Sequence, residues 1–395
     1  MKKRLLSLIS ILLATVLMML SLASCSIQAE KETLPAGMKF DSPDKIPYNA
    51  NDSESLPAKE RMLMSSVSIK AKPTADSTSG SRGSGVIYQI DTARGDAYII
   101  TNHHVVYCGT NDAGICGYIT VNFYGLEHDN YAVRAHYVGG SAQYDIAVLK
   151  ITGNDILRYS GAVEAAFADS EEVSVTDNVT VVGNSEGEGI SVTKGCISVA
   201  SEYITMYGAD SSMIVNYRVI RTDAAVNPGN SGGGLYNSDG RIIGIVNARN
   251  SDSENMGYAI PSNVARAVAD NIIYFCDGTS LRTVYKCTLG IEVDTSEVYS
   301  YYDSSKMAVV TTETVKVVAI DSDVFDVNRY VNIGDFVSSI KIDGETKYIT
   351  RKYQIVEAML DVREGSTVTV TFMRPGGTFY EVGIYVTNKM IYAYG

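Results

Sequence analysis

The sequence predicts a mainly β protein of two folded domains, the second a small α+β module. Three observations carry this. Between residues 67 and 246, short β-branched or aromatic runs recur, separated by Gly, Asn, Asp and Ser. After residue 289 the pattern starts afresh and includes one helical stripe. The length, 395 residues, exceeds one ordinary core and leaves room for a targeting segment.

The elements follow in order. Lys2, Lys3 and Arg4 precede an almost uncharged apolar run over residues 5–22, and Ala23-Ser24-Cys25 follows at once. This reads as a secretion signal over residues 1–24. Small residues before a cysteine resemble the bacterial lipobox, in which Cys25 would be acylated and become the mature N-terminus. A spanning anchor with an incidental cysteine is the alternative, since the run is just long enough to cross a bilayer. Long spans rarely end in this arrangement, and either reading puts the body outside the cytoplasm. Residues 25–62 are polar, aperiodic and proline-containing, and read as a flexible tether.

The first domain is read over residues 63–276. Its apolar runs at 86–88, 98–100, 118–123, 131–138, 146–149, 179–182, 190–199, 215–220 and 242–246 suit a sandwich or barrels. After Pro261, Ser262 is placed to cap a closing helix with Val264, Ala267, Val268, Ile272 and Ile273 on one face. A linker over 277–288 leads to the module at 289–388. There Thr350 is placed to cap a helix striped by Tyr353, Val356, Ala358, Met359 and Leu360.

Composition narrows the function. Hydrophobic residues at 45% and charged residues at 20% belong to a folded chain rather than a disordered one. The formal charge of −12 becomes −15 once the three cations Lys2, Lys3 and Arg4 are removed, and such an acidic body excludes nucleic acid as a partner. Beyond Cys25 stand Cys108, Cys116, Cys196, Cys276 and Cys287, with no Cys-x-x-Cys pair, so no metal or cofactor is expected. Cys108 and Cys116 bracket a turn-rich loop and are either a local disulfide or two thiols; spacing does not decide.

Asn227-Pro228-Gly229-Asn230-Ser231-Gly232-Gly233 is the most informative stretch. A serine hydroxyl needs a base, and acyl transfer needs donors for an oxyanion; glycines let a substrate backbone approach and let amides converge. Alone, the stretch is equally a glycine-rich loop. Upstream, His103-His104 follows the strand run at 98–100, and Asp145 opens the run at 146–149. Imidazole titrates closest to working pH, and a partly buried carboxylate needs a donor such as its second ring nitrogen. Taken singly, a histidine here is more often structural and an aspartate before a strand more often a turn residue.

Five blocks resemble the HtrA family of trypsin-like serine proteases: Gly83-Ser84-Gly85-Val86-Ile87, Thr101-Asn102-His103-His104-Val105-Val106, Asp145-Ile146-Ala147-Val148-Leu149-Lys150, Thr222 through Gly233, and Gly257-Tyr258-Ala259-Ile260-Pro261. The resemblance implies a chymotrypsin-like pair of six-stranded β-barrels, with His104 as base, Asp145 orienting it, Ser231 as nucleophile and the Gly229 and Ser231 amides as oxyanion hole. His103 is the rival base, set aside because the family places its histidine directly before two valines. His103 stands where the family has a small or amide residue, and Gly234 replaces its proline. Asn230 replaces the aspartate that ion-pairs with a new N-terminus in digestive relatives. Ala225, six residues before Ser231, with Val226, matches the primary substrate pocket and implies an apolar rather than Lys or Arg preference.

The C-terminal module resembles a PDZ domain through Leu289-Gly290-Ile291, residues 332–340, Asp343-Gly344 and residues 365–372. That implies binding of peptide C-termini or extended segments as an added strand, at Leu289, Gly290 and Ile291, against the helix after Thr350. The whole implies a lipid-anchored serine endopeptidase of the bacterial cell envelope that degrades unfolded or damaged proteins and assembles as a homo-oligomer, typically trimeric. A catalytically silent peptide-binding chaperone or sensor is the rival. A lipase or esterase is disfavoured for want of a Gly-x-Ser-x-Gly elbow.

Overall fold

The structure, a computed structural model, describes residues 56–109, 114–208, 214–249, 255–275, 283–304, 308–321 and 329–394. The residues read as a secretion signal, Cys25, nearly all of the stretch read as a tether and Cys276 lie outside these. Among the described residues no helix is long and apolar enough to cross a membrane.

A short helix, α1 (Ala58–Met64), precedes the first barrel and begins in the stretch read as tether, crossing its expected boundary at residue 62. It is docked, not free: the buried Arg61 side chain donates to the carbonyls of Gly240 and Asp239. Six strands then close a barrel: β1 (Ser66–Lys72), β2 (Ser81–Asp91), β3 (Asp96–Thr101), β4 (Tyr118–Phe123), β5 (Val133–Ser141) and β6 (Ile146–Ile151). Between β3 and β4 runs one turn of helix, α2 (His103–Val106). After α3 (Asp155–Tyr159) a second barrel is closed by β7 (Asn178–Gly183), β8 (Ser191–Tyr207), β9 (Ile214–Thr222), β10 (Gly234–Tyr236), β11 (Ile242–Arg249) and β12 (Gly257–Pro261). Closure leaves neither barrel an open edge. One core, including Ile69, Ile87, Ile99, Val121 and Leu149, fills the first; another, including Val179, Ile197, Ile220 and Leu235, fills the second.

Helix α4 (Ser262–Phe275) packs as expected, with Val264, Ala267, Val268 and Ile272 buried. Its cap differs from expectation: the Ser262 hydroxyl donates to the distant Ala168 carbonyl. Next come β13 (Val284–Cys287), paired with β20 (Ile391–Tyr394), and a sheet of β14 (Ile291–Asp303), β15 (Ala308–Ile320), β16 (Phe336–Ile342), β17 (Glu345–Tyr348), β18 (Thr367–Met373) and β19 (Phe379–Tyr385), with α5 (Tyr353–Ala358) against it. In β18 the even positions are buried and the odd ones face out, the period of two that a one-sided sheet requires. Here too the cap is corrected: no Thr350 oxygen caps α5, and the Gln354 carbonyl oxygen reaches back to the Thr350 and Arg351 amides. Val356, read as part of the buried stripe, is exposed.

The PDZ-like domain is held on the second barrel by a buried polar cluster. Arg218 of β9, with 5% of its side chain exposed, forks onto Glu357 of α5 (Nε to Oε1 2.6 Å, Nη2 to Oε2 2.9 Å) and pairs with Glu171 at 3.1 Å. Its guanidinium lies 4.0 Å from the Tyr353 ring centroid. Burial pushes the Glu357 carboxyl up to about 7 even beside this cation. Arg218→Met strands that carboxylate, so a loss of about 3–5 kcal/mol is expected, read as a lower thermal midpoint. The double variant Arg218→Met/Glu357→Leu should recover most of it, and failure to recover would place the cost elsewhere.

Candidate active site

The pairing of β3 with β6, with Thr101 opposite Ala147, delivers residues 102–104 and 145 to the same end of the first barrel. Asp145 sits at φ +47°, a left-handed conformation costly for a residue with a Cβ. The Asn102 side-chain amide holds it there by donating to the Asp145 carbonyl at 2.8 Å. Its carboxylate is 3% exposed and accepts three hydrogen bonds: from the His104 backbone amide (2.8 Å), from His104 Nδ1 (2.6 Å) and from Asn247 Nδ2 (2.6 Å). With Nδ1 donating, the neutral imidazole carries its lone pair on Nε2, the arrangement a general base needs. Burial opposes the charged ring, but the Asp145 charge and hydrogen bond outweigh it and hold His104 above its usual 6.5.

His103 is turned the other way. It packs inside the first barrel, its ring centroid 6.0 Å from that of Tyr107 and 6.3 Å from that of Tyr137. The two histidines thus separate as a core residue and a partner of Asp145.

Ser231 lies between β9 and β10 in a loop where most amides are engaged internally. Asn230 N–H donates to Asn227, Gly232 N–H to Val246 and Gly233 N–H to Asn230. Among the described residues, the Gly229 and Ser231 amides meet no acceptor. Those are the two donors an oxyanion would need. Gly229 stands at φ +97°, and a Cβ there would come within 2.1 Å of the Asn184 carbonyl oxygen. Only glycine fits that turn.

The Ser231 hydroxyl donates to the Asn247 carbonyl at 3.0 Å. Asn247 therefore touches both halves of the site, its carbonyl receiving Ser231 and its side chain bonding Asp145. Sequence reasoning did not single it out, because a lone asparagine within an apolar strand carries no local signal. Ser84 was quoted only as part of a block, yet it stitches the loop to the first barrel. Its amide donates to Ser231 O (2.8 Å), its hydroxyl to Gly229 O (2.7 Å), and the hydroxyl accepts from Asn184 N–H (2.7 Å).

The two residues expected to form the substrate pocket lie on the same loop's approach. Ala225 is exposed, with its carbonyl accepting from Thr193 Oγ1 at 2.7 Å. Val226 is buried in the second-barrel core, so close to Gly257 that a Cβ there would fall 2.5 Å from Val226 Cγ2. In the PDZ-like domain Leu289 is buried in the core, and Gly290 (φ +68°) donates its amide to Thr288 Oγ1 at 3.3 Å, which engages one amide of the expected carboxylate loop. Cys108 and Cys116 are thiols; burial first and the neighbouring Cys108 second push the Cys116 thiol up.

Two β-barrels with an imidazole–carboxylate pair on one and a serine loop with two open amides on the other define a trypsin-like serine peptidase. A trypsin-like peptidase domain indeed matches residues 83–245. The chain is 31% identical over 308 residues to the serine protease Do-like HtrA of Lactococcus lactis strain IL1403, covering 75% of this chain and 68% of that protein. It is 36% identical over 210 residues to the HtrA of Bacillus subtilis strain 168, there covering 52% of this chain and 42% of that protein. Among solved structures, the HtrA-type protease AlgW with a tripeptide aligns over 84% of this chain and 95% of its own, at 25% identity and a TM-score of 0.53. The chain belongs to the HtrA family of serine proteases.

Proposed function

We propose that the chain cleaves polypeptides through an acyl-enzyme, with Ser231 as nucleophile, His104 as base and Asp145 as the group that orients it. The observation that carries this is the 2.6 Å contact from His104 Nδ1 to Asp145, which frees Nε2 as proton acceptor, beside a serine loop with two unspent amides. The step requires the Ser231 hydroxyl to leave the Asn247 carbonyl, which it meets in the structure, and turn to His104 Nε2. His104 takes its proton, the carbonyl carbon of the substrate is attacked, and the Gly229 and Ser231 amides receive the oxyanion. His104 then returns the proton to the leaving amine, and water repeats the cycle on the ester.

The base must be neutral, and a raised folded pKa keeps it protonated to higher pH. kcat/KM on a peptide substrate is therefore expected to rise with pH through a midpoint above 6.5. A midpoint at or below 6.5 contradicts the assignment of His104.

Ala225, the exposed residue of the pair assigned to the primary pocket, brings no carboxylate, which supports cleavage after small or medium apolar side chains. A peptide library cut mainly after Lys or Arg contradicts it. The proposed substrates are unfolded or damaged proteins, whose extended segments suit both a protease cleft and a PDZ groove. The open edge of β14, next to Leu289, Gly290 and Ile291, supports strand addition by a peptide C-terminus. Residues 1–25 support a lipid-anchored place on the extracytoplasmic face of a bacterial membrane, with Cys25 as the acylated residue. A homo-oligomer, a trimer by analogy with similar proteins, is the proposed assembly.

A further inference from the structure

Between the second barrel and the PDZ-like domain lies a cavity of about 200 Å³, away from the serine loop. Its wall includes Tyr144, Tyr203, Lys286, Val356, Glu357 and Tyr394. Lys286 of β13 is only 6% exposed, yet its ammonium has no hydrogen-bond acceptor among the described residues. It lies 3.4 Å from the ring centroid of Tyr394 and 5.0 Å from that of Tyr144. Burial pushes this ammonium down to about 8. The Tyr144 hydroxyl is also buried with no hydrogen-bond partner. Among the described residues the Tyr144 hydroxyl is thus left unanswered, a costly state for a buried polar group, while the Lys286 ammonium meets aromatic rings and no oxygen acceptor.

We propose that this cavity binds a small monocarboxylate with an apolar or aromatic body. The carboxylate would accept from Lys286 Nζ and Tyr144 Oη, and the tyrosine rings with Val356 would enclose the body. Arg218, on the same wall, is bonded to Glu357 and Glu171, so Lys286 is the cation of the cavity with no carboxylate in ion-pair contact among the described residues, and Glu357 would repel a dianion. The volume suits one ring with its carboxylate rather than a peptide. The site adjoins the catalytic region through one peptide bond, since Tyr144 precedes Asp145.

The test is calorimetric titration of the full chain, held in a non-ionic detergent with a matched blank, using benzoate, benzyl alcohol and inorganic phosphate as probes. Saturable benzoate binding at one site per chain is expected, at least about tenfold tighter than either benzyl alcohol or phosphate. Lys286→Met should weaken benzoate by about tenfold or more, and Tyr144→Phe by several-fold. No saturable benzoate binding, equal binding of benzyl alcohol, tighter phosphate, or unchanged affinity in Lys286→Met overturns the proposal. The probe comparison uses the unaltered chain, so it decides the matter even if Lys286→Met does not fold. The readout is heat of binding, so it stands or falls apart from cleavage activity.

Discussion

Ser231→Ala is expected to reduce kcat toward an unfolded protein such as casein by about 10⁶-fold. The change removes the oxygen proposed to form the acyl bond while sparing the loop around it. Ser84 still meets the residue-231 carbonyl, Gly232 still donates to Val246, and the left-handed turn at Gly229 is untouched. A melting curve should therefore overlay that of the parent chain. A serine-directed phosphonate should label the parent and not the variant. Casein cleavage retained at more than a small fraction of the parental rate would show that another group performs the attack.

Asp145→Asn should cost about 10⁴-fold in kcat. The direction follows from the three donors that converge on this carboxylate. The His104 backbone amide requires an acceptor at Oδ1, so an asparagine is steered to place its NH₂ where Oδ2 now faces His104 Nδ1. Nδ1 must then accept, the ring proton moves to Nε2, and the imidazole can no longer take a proton from Ser231. The same NH₂ would confront the Asn247 amide, now a donor at 2.6 Å. Steady-state kinetics on a peptide substrate measure the effect; a loss below tenfold would mean that the carboxylate neither sets the tautomer nor steadies the cation.

Much of this was legible in the chain because the signals are local. The strand runs at 86–88, 98–100 and 146–149 are apolar stretches of the right length between turn residues, and all lie in barrel strands. The order His104, Asp145, Ser231 could be read from short blocks, each of which must fold locally to do its work. What escaped depends on contacts between distant segments. Asn247 bonds Asp145 across 102 positions, and Arg218 meets Glu357 across 139. Neither residue differs in its neighbourhood from an ordinary polar residue on a strand. The caps failed for a related reason. Thr350 and Ser262 have suitable side chains, but the Gln354 side chain engages the Thr350 and Arg351 amides ahead of α5, and Ala168 lies close enough to engage the Ser262 hydroxyl. The choice between His103 and His104 rests on which way one short turn faces, and the packing of His103 against Tyr107 and Tyr137, visible only in space, supports His104.

The stitching by Ser84 has a consequence for where this molecule tolerates change. The imidazole and carboxylate belong to one half, the hydroxyl and its amides to the other, and a single serine of β2 clasps the nucleophile loop by two of its carbonyls. Gly232 seats so tightly on that strand that a methyl group would fall 2.1 Å from the Ser84 carbonyl oxygen. Reactivity is thus a property of the join, not of either half. Sliding of the halves by an ångström would silence the molecule while both cores stayed fully folded.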